Sequence, residues 1–195
     1  MPHQKEKMLS CRLRRIRFLR IMTFTNPEPD QIRQLLCSLR TIAVVGLSPN
    51  QARPSYRVAS GLQSLGYRII PVRPRHGGAE PSGAGVAASH LLPQSAGYAS
   101  NVSEVRPMID EVLGEKAFPT LESLPTTPDI VDVFRAAEHV PAIVESCIKL
   151  GIKRLWLQDG VIHEAAAQRA REAGITVVMD RCTWRDAVNF GAYPS

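Results

Sequence analysis

The chain has 195 residues, 44% of them hydrophobic and 22% charged, which suits a single domain with a sizeable core. Its formal charge of +6 is uneven: residues 1–26 carry seven Lys or Arg against one acid, and the rest carry seventeen of each. This excludes a basic nucleic-acid face on the folded part, and the sequence offers neither an apolar run long enough to span a bilayer nor a paired metal spacing among Cys11, Cys37, Cys147 and Cys182.

Residues 1–26 are arginine-rich and poor in acids, which permits a mitochondrial transit peptide; the alternatives are a disordered extension or a true start at Met22. No secretory signal is evident, so the cysteines read as reduced thiols and a cytoplasmic setting is expected. From Pro27, the spacing of Ile32, Leu35, Leu36 and Leu39 predicts a first helix. Ile42 to Val45 form a short apolar run ending at Gly46, as in a strand of a parallel sheet buried on both faces. A loop follows, and a helix begins at Pro54, where a missing N–H costs nothing, and carries Val58, Ala59, Leu62 and Leu65 to Gly66.

A strand, loop and helix in that order aim the first N–H groups of the helix at the space above the strand end, where the helix dipole favours a phosphate. Ser55, beside Pro54, is expected to add a hydroxyl to that site. The loop has one glycine where a dinucleotide fingerprint has three, and the second strand, Arg68 to Val72, runs into Arg73 and Pro74 instead of the acid that would hold an NAD ribose. Arginine there suits a ligand with a further phosphate on its ribose, which describes both NADP and coenzyme A (CoA).

Residues 75–104, rich in Gly, Ala and Ser without apolar period, read as a flexible insert whose closure entropy grows only slowly with length. Beyond it, Lys116 to Phe118 is read as a short edge strand and Ile130 to Phe134 as a central one. Phe134 and Arg135 leave its carboxyl end, placed either to stack on and ion-pair with a nucleotide or to serve as core and helix start. Val140, Ile143, Val144, Cys147 and Ile148 share a helix face; Arg154 to Leu157 is a strand leading into Gln158, Asp159 and Gly160. Ala166, Ala170 and Ala173 predict a helix in close approach to the sheet, and Ile175 to Met179 deliver Asp180, Arg181 and Cys182 to the same edge. Residues 183–195 are read as a C-terminal tail. His139 and Cys182 are weighed as reactive groups and read as structural, because neither has a visible catalytic partner in sequence.

The motifs GLSPNQARPSYRVA, PVRP, EVLGEKAFPTL, DIVDVFRAAEHVP, LWLQDGV and VVMDRC, in that order, resemble the small bacterial-type CoA-binding proteins, similar to the nucleotide-binding domain of the succinyl-CoA synthetase alpha subunit. The resemblance covers residues 28–74 and 105–182. It implies an α/β fold: one Rossmann-like domain over 27–182 with a mostly parallel five-stranded sheet and helices on both faces. It further implies that CoA or an acyl-CoA is held by Gly46, Leu47, Ser48, Arg53, Pro54, Ser55, Tyr56, Val72, Arg73, Phe134, Arg135, Gln158 and Gly160. Arg73 stands where the family usually has Asn. A non-catalytic binding module is the expectation, with no catalytic residue and no metal, and homo-oligomerisation is left open. The alternative is a small NADP-dependent reductase, or a CoA ligase or transferase subunit that needs a partner.

Overall fold

The computed structural model describes residues 24–73 and 111–194. The expected insert 75–104 and nearly all of the basic extension lie outside them. The chain runs α1 (Pro29–Cys37), β1 (Thr41–Val45), α2 (Pro54–Ser64), β2 (Arg68–Val72), β3 (Glu111–Val112), β4 (Glu115–Lys116), β5 (Ile130–Val133), α3 (Val140–Lys149), β6 (Arg154–Leu157), α4 (Glu164–Glu172), β7 (Thr176–Val178) and α5 (Thr183–Asn189). Five strands form one sheet in the order β2-β1-β5-β6-β7, with every pairing parallel. β3 and β4 form a separate antiparallel hairpin.

The strands are apolar on both sides because both faces are covered. Ile42, Val44, Ile69, Ile130, Trp156 and Val178 meet α1, α2 and α5, while Ala43, Val45, Val131, Val133, Leu155 and Leu157 meet α3 and α4. From β1 the chain moves outward to β2 through α2, and from β5 it moves the other way to β6 through α3, so the order reverses between β1 and β5. In open parallel sheets the crevice above such a reversal, at the carboxyl ends of the strands, is where ligands bind.

Local chemistry explains where the elements end. Gly66 takes φ +99 just beyond α2, a conformation that releases the chain into β2 at little cost to glycine. Pro71 sits inside β2 because that strand is at the sheet edge: its carbonyl accepts the N–H of Phe118 at 2.9 Å on the outer side, so the missing donor leaves the bond to β1 intact. Asn26 closes the opposite end, donating to the Met179 carbonyl at 2.8 Å and accepting the Met179 N–H at 2.7 Å. Ahead of Pro27, Phe24 packs on the core and under the Arg171 guanidinium.

The structure departs from the sequence reading in three places. The expected edge strand at Lys116 to Phe118 is divided: Lys116 ends β4, and Phe118 makes a single parallel bridge to Val72. Ala173 lies beyond the end of α4 and is exposed, and Ala167 takes its place against the sheet. Of the stretch read as a tail, residues 183–194 are packed on the domain. They supply α5, whose Thr183, Asp186 and Ala187 are buried, and Ala192, whose carbonyl accepts the buried Tyr67 hydroxyl at 3.0 Å. Seven residues with buried polar side chains give no apolar period for a sequence reading to find.

The seat of α5 on α2 is Gly61. A Cβ there would come within 2.3 to 2.6 Å of the Trp184 indole. Alanine normally stabilises a helix interior by about 0.5 to 1 kcal/mol over glycine, but here the methyl group has to displace the ring. Gly61→Ala is expected to move Trp184 into water and red-shift the tryptophan emission, with no gain in stability. A more stable variant with unchanged emission would mean that Trp184 does not rest on α2.

Candidate functional site

Above the β1/β5 reversal lies a cavity of about 490 Å³ lined by Gly46, Ser48, Arg53, Pro54, Ser55, Val58, Phe134, Arg135, Gln158, Asp159, Val161 and Cys182. The segments that follow β1, β5, β6 and β7 contribute. β1 leads into Gly46, which has φ +90 and donates its N–H to the Val72 carbonyl at 2.9 Å. A side chain is excluded there, since a Cβ would lie 2.7 Å from the Phe134 carbonyl oxygen and 3.1 Å from the Arg135 Cδ. The glycine lets the β1 and β5 loops touch.

The loop between Gly46 and α2 is held by its own side chains. The Ser48 N–H donates to Ser55 Oγ at 3.1 Å, the Asn50 N–H to Ser48 Oγ at 3.2 Å, and the Ala52 N–H to Asn50 Oδ1 at 2.9 Å. Arg53 precedes α2 without a side-chain cap, and Pro54 is in the first turn. Pro54 has no N–H and the Tyr56 N–H turns back to the Arg53 carbonyl at 3.1 Å, so α2 offers the cavity the Ser55 N–H and the positive end of its dipole. Ser55, only 6% exposed, serves the loop as an acceptor and keeps its own proton to donate.

Three charged side chains reach this space. Asp159 is neutralised by a two-pronged pair with Arg185, at 2.8 and 2.9 Å. Arg135 has Nη2 at 3.1 Å from the His139 ring, and neither Arg135 nor Arg53 pairs with a carboxylate among the described residues. The cavity therefore holds two cations without acidic partners at a helix start, an arrangement suited to an anion with several oxygens. No group of three or more His, Cys, Asp or Glu among the described residues is placed to hold a metal.

Of the remaining expected site residues, Leu47 turns its side chain into the core. Val72 is buried at the end of β2, Arg73 follows it with its N–H on the Phe118 carbonyl at 2.7 Å, and neither lines the cavity. Tyr56 forms part of an adjoining groove between α2 and α5. Gly160, at φ +77, donates its N–H to Asp180 instead. Val58, Val161, Asp159 and Cys182 complete the wall without having been singled out as binding residues. The Cys182 thiol is pushed above its usual range, chiefly by burial, which disfavours the thiolate a nucleophile would need.

Under the cavity floor lies a group the sequence reading missed. Asp132, on β5, is fully buried, with its carboxylate accepting from Gln158 Nε2 at 2.8 and 2.9 Å and from Thr183 Oγ1 at 3.0 Å. Burial pushes its pKa up to about 7, against the hydrogen bonds from Gln158, Thr183 and the Val133 backbone that favour the charge. Between an unfolded pKa near 4 and about 7, the native state therefore holds one more proton than the unfolded chain. Rising pH costs stability through that window, on the order of 4 kcal/mol from this group, and nothing further above it. Asp132→Asn removes the titration. Its stability relative to wild type is expected to rise steadily between about pH 4 and pH 7 and then level off, as read by urea denaturation. A constant difference would show that Asp132 is not desolvated.

A doubly wound parallel sheet in this strand order, with helices on both faces, is a Rossmann-like α/β fold. The chain belongs to the CoA binding domain family, whose model matches residues 40–95 and 81–187. It is 33% identical over 157 residues to the uncharacterized protein YneT of Bacillus subtilis (strain 168), covering 80% of this chain and 92% of that one. Among solved structures it is similar to cell-free ID.343 from Thermus thermophilus (28% identity, TM-score 0.64, 84% of this chain and 99% of that one). A hypothetical protein from Pyrococcus horikoshii OT3 is also similar (27% identity, TM-score 0.65, 87% and 99%). No helix among the described residues is long and apolar enough to cross a membrane.

Proposed function

We propose that the protein binds CoA or an acyl-CoA across the carboxyl ends of its strands, as a cytoplasmic binding module without catalysis of its own. The observation that carries this reading is the pair of cations, Arg53 and Arg135, beside the first turn of α2, in a chain of the CoA binding domain family. The pyrophosphate is read onto the α2 start, with the Ser55 proton and the Arg135 guanidinium directed to it. The sheet order sets the ligand's direction. Arg73 emerges from β2 on one side of the phosphate loop, and Gln158 follows β6 on the other, three strand spacings or about 15 Å away. The 3′-phosphate and adenosine belong on the Arg73 side, and the pantetheine arm runs toward β6.

The non-catalytic part of the reading rests on the state of the reactive groups. Asp159 is paired, the Cys182 thiol is held protonated, and His139 is engaged by Arg135. Calorimetric titration with CoA and dephospho-CoA in parallel tests the orientation. CoA is expected to bind more tightly by about tenfold or more, the worth of one charged hydrogen bond. Equal affinities would remove Arg73 from the site.

A further inference from the structure

The polar cluster beneath the cavity determines which way the Gln158 amide faces. Above about pH 7, where Asp132 is a carboxylate and only accepts hydrogen bonds, the amide turns its NH2 toward it. One Gln158 N–H goes to Asp132 and the other to Thr183 Oγ1 at 2.5 Å, while the Thr183 hydroxyl spends its proton on Asp132 at 3.0 Å. Every donor in the triangle is then used within it. The Gln158 oxygen makes no hydrogen bond, yet among the described residues no sealed side-chain oxygen or nitrogen is without a partner. Oε1 is therefore open to the cavity that Gln158 lines. Its backbone is fixed as well, with the N–H on the Val133 carbonyl at 3.4 Å and the carbonyl accepting from Val161 at 2.9 Å.

We propose that Gln158 is a specificity-determining acceptor, held oxygen-outward by Asp132 and Thr183, that takes an amide N–H of the ligand's pantetheine arm. This rests on the CoA reading above. A phosphate oxygen has no proton to offer Oε1, so the residue discriminates for a neutral N–H donor on the β6 side of the phosphate loop. A site that presents a fixed polar group rejects ligands that leave it unpaired, which is how one buried amide acquires selectivity. Asp132 and Thr183 are positioning residues; they touch Gln158 and not the ligand.

The test compares CoA with adenosine 3′-phosphate 5′-diphosphate, which keeps the nucleotide phosphates and lacks the arm. Both are titrated calorimetrically at a pH about one unit above the Asp132 pKa, where Asp132 is ionised, into wild type, Gln158→Met, Thr183→Val and Thr183→Ser. Gln158→Met is expected to weaken CoA about tenfold and leave the armless nucleotide within twofold, since one neutral hydrogen bond is lost. Thr183→Val should weaken CoA selectively in the same sense, and Thr183→Ser, which keeps the hydroxyl, should restore it. A merely structural cluster would lower the melting temperature and weaken both ligands together or neither, and that outcome overturns the proposal. If Thr183→Val does not fold, Gln158→Met and Thr183→Ser still decide it. Wild type that binds neither ligand would instead refute the CoA reading itself.

Discussion

Gly46→Ala is expected to be the most damaging single substitution in the site, losing both stability and ligand. A residue with a side chain at φ +90 bears backbone strain of about 1 to 3 kcal/mol. The new Cβ also starts 2.7 Å from the Phe134 carbonyl oxygen, a backbone atom that cannot rotate aside. Relieving that overlap costs roughly another 1 to 3 kcal/mol. The sum, about 2 to 6 kcal/mol, corresponds to a melting temperature lower by roughly 5 to 20 °C. Because relief comes from pushing Phe134 and Arg135 off the loop, CoA affinity should fall by more than tenfold even in the fraction that stays folded. Gly160→Ala is the control: Gly160 also has positive φ, at +77, but a Cβ there meets nothing within 4 Å. It should lose only the backbone part and keep its ligand. Equal losses from the two variants would mean that close approach of the loops is not what Gly46 provides.

Arg135→Met should cost the most affinity at the least cost in stability. The guanidinium is half-buried beside the α2 start and, among the described residues, has the His139 ring and no carboxylate in hydrogen-bond reach, so none of their carboxylates is orphaned when it goes. Methionine keeps most of the stem that packs against Gly46. What is lost is a charge-assisted bond to the ligand's pyrophosphate, about 1.5 to 3 kcal/mol, or roughly ten- to a hundredfold in dissociation constant. Titration of folded variant protein measures this directly. Unchanged CoA affinity would place the phosphates elsewhere.

Much of this architecture is legible in the chain because parallel strands buried on both faces write themselves as short apolar runs. Thr41–Val45, Arg68–Val72 and Arg154–Leu157 are strands that can be read from composition alone, and the helix between the first two is bounded by Pro54 and Gly66. The phosphate loop is legible for the same reason: a strand ending in glycine before a proline-started helix allows few geometries. Binding residues are less so, since Leu47 and Val72 adjoin the loop in sequence but point into the core. Asp132 carried one available signal, an acid inside the apolar run IVDV, where a charge needs a reason to be buried. Its partner Thr183 carried none. It lies in α5, whose buried face is made of Thr183, Asp186 and Ala187 and whose Asp186 is held by Arg181, so the helix depends on polar partners far away in sequence.

Thermal denaturation with CoA, NADP and NAD at equal concentration shows whether the crevice above β1 and β5 recognises CoA. A ligand that binds only the native state raises the melting temperature in proportion to the logarithm of its concentration over its dissociation constant. CoA is expected to give a clear, concentration-dependent rise that Arg135→Met largely abolishes, with NAD giving little or none. Equal shifts from CoA and NAD, or a larger shift from NADP, would contradict the assignment.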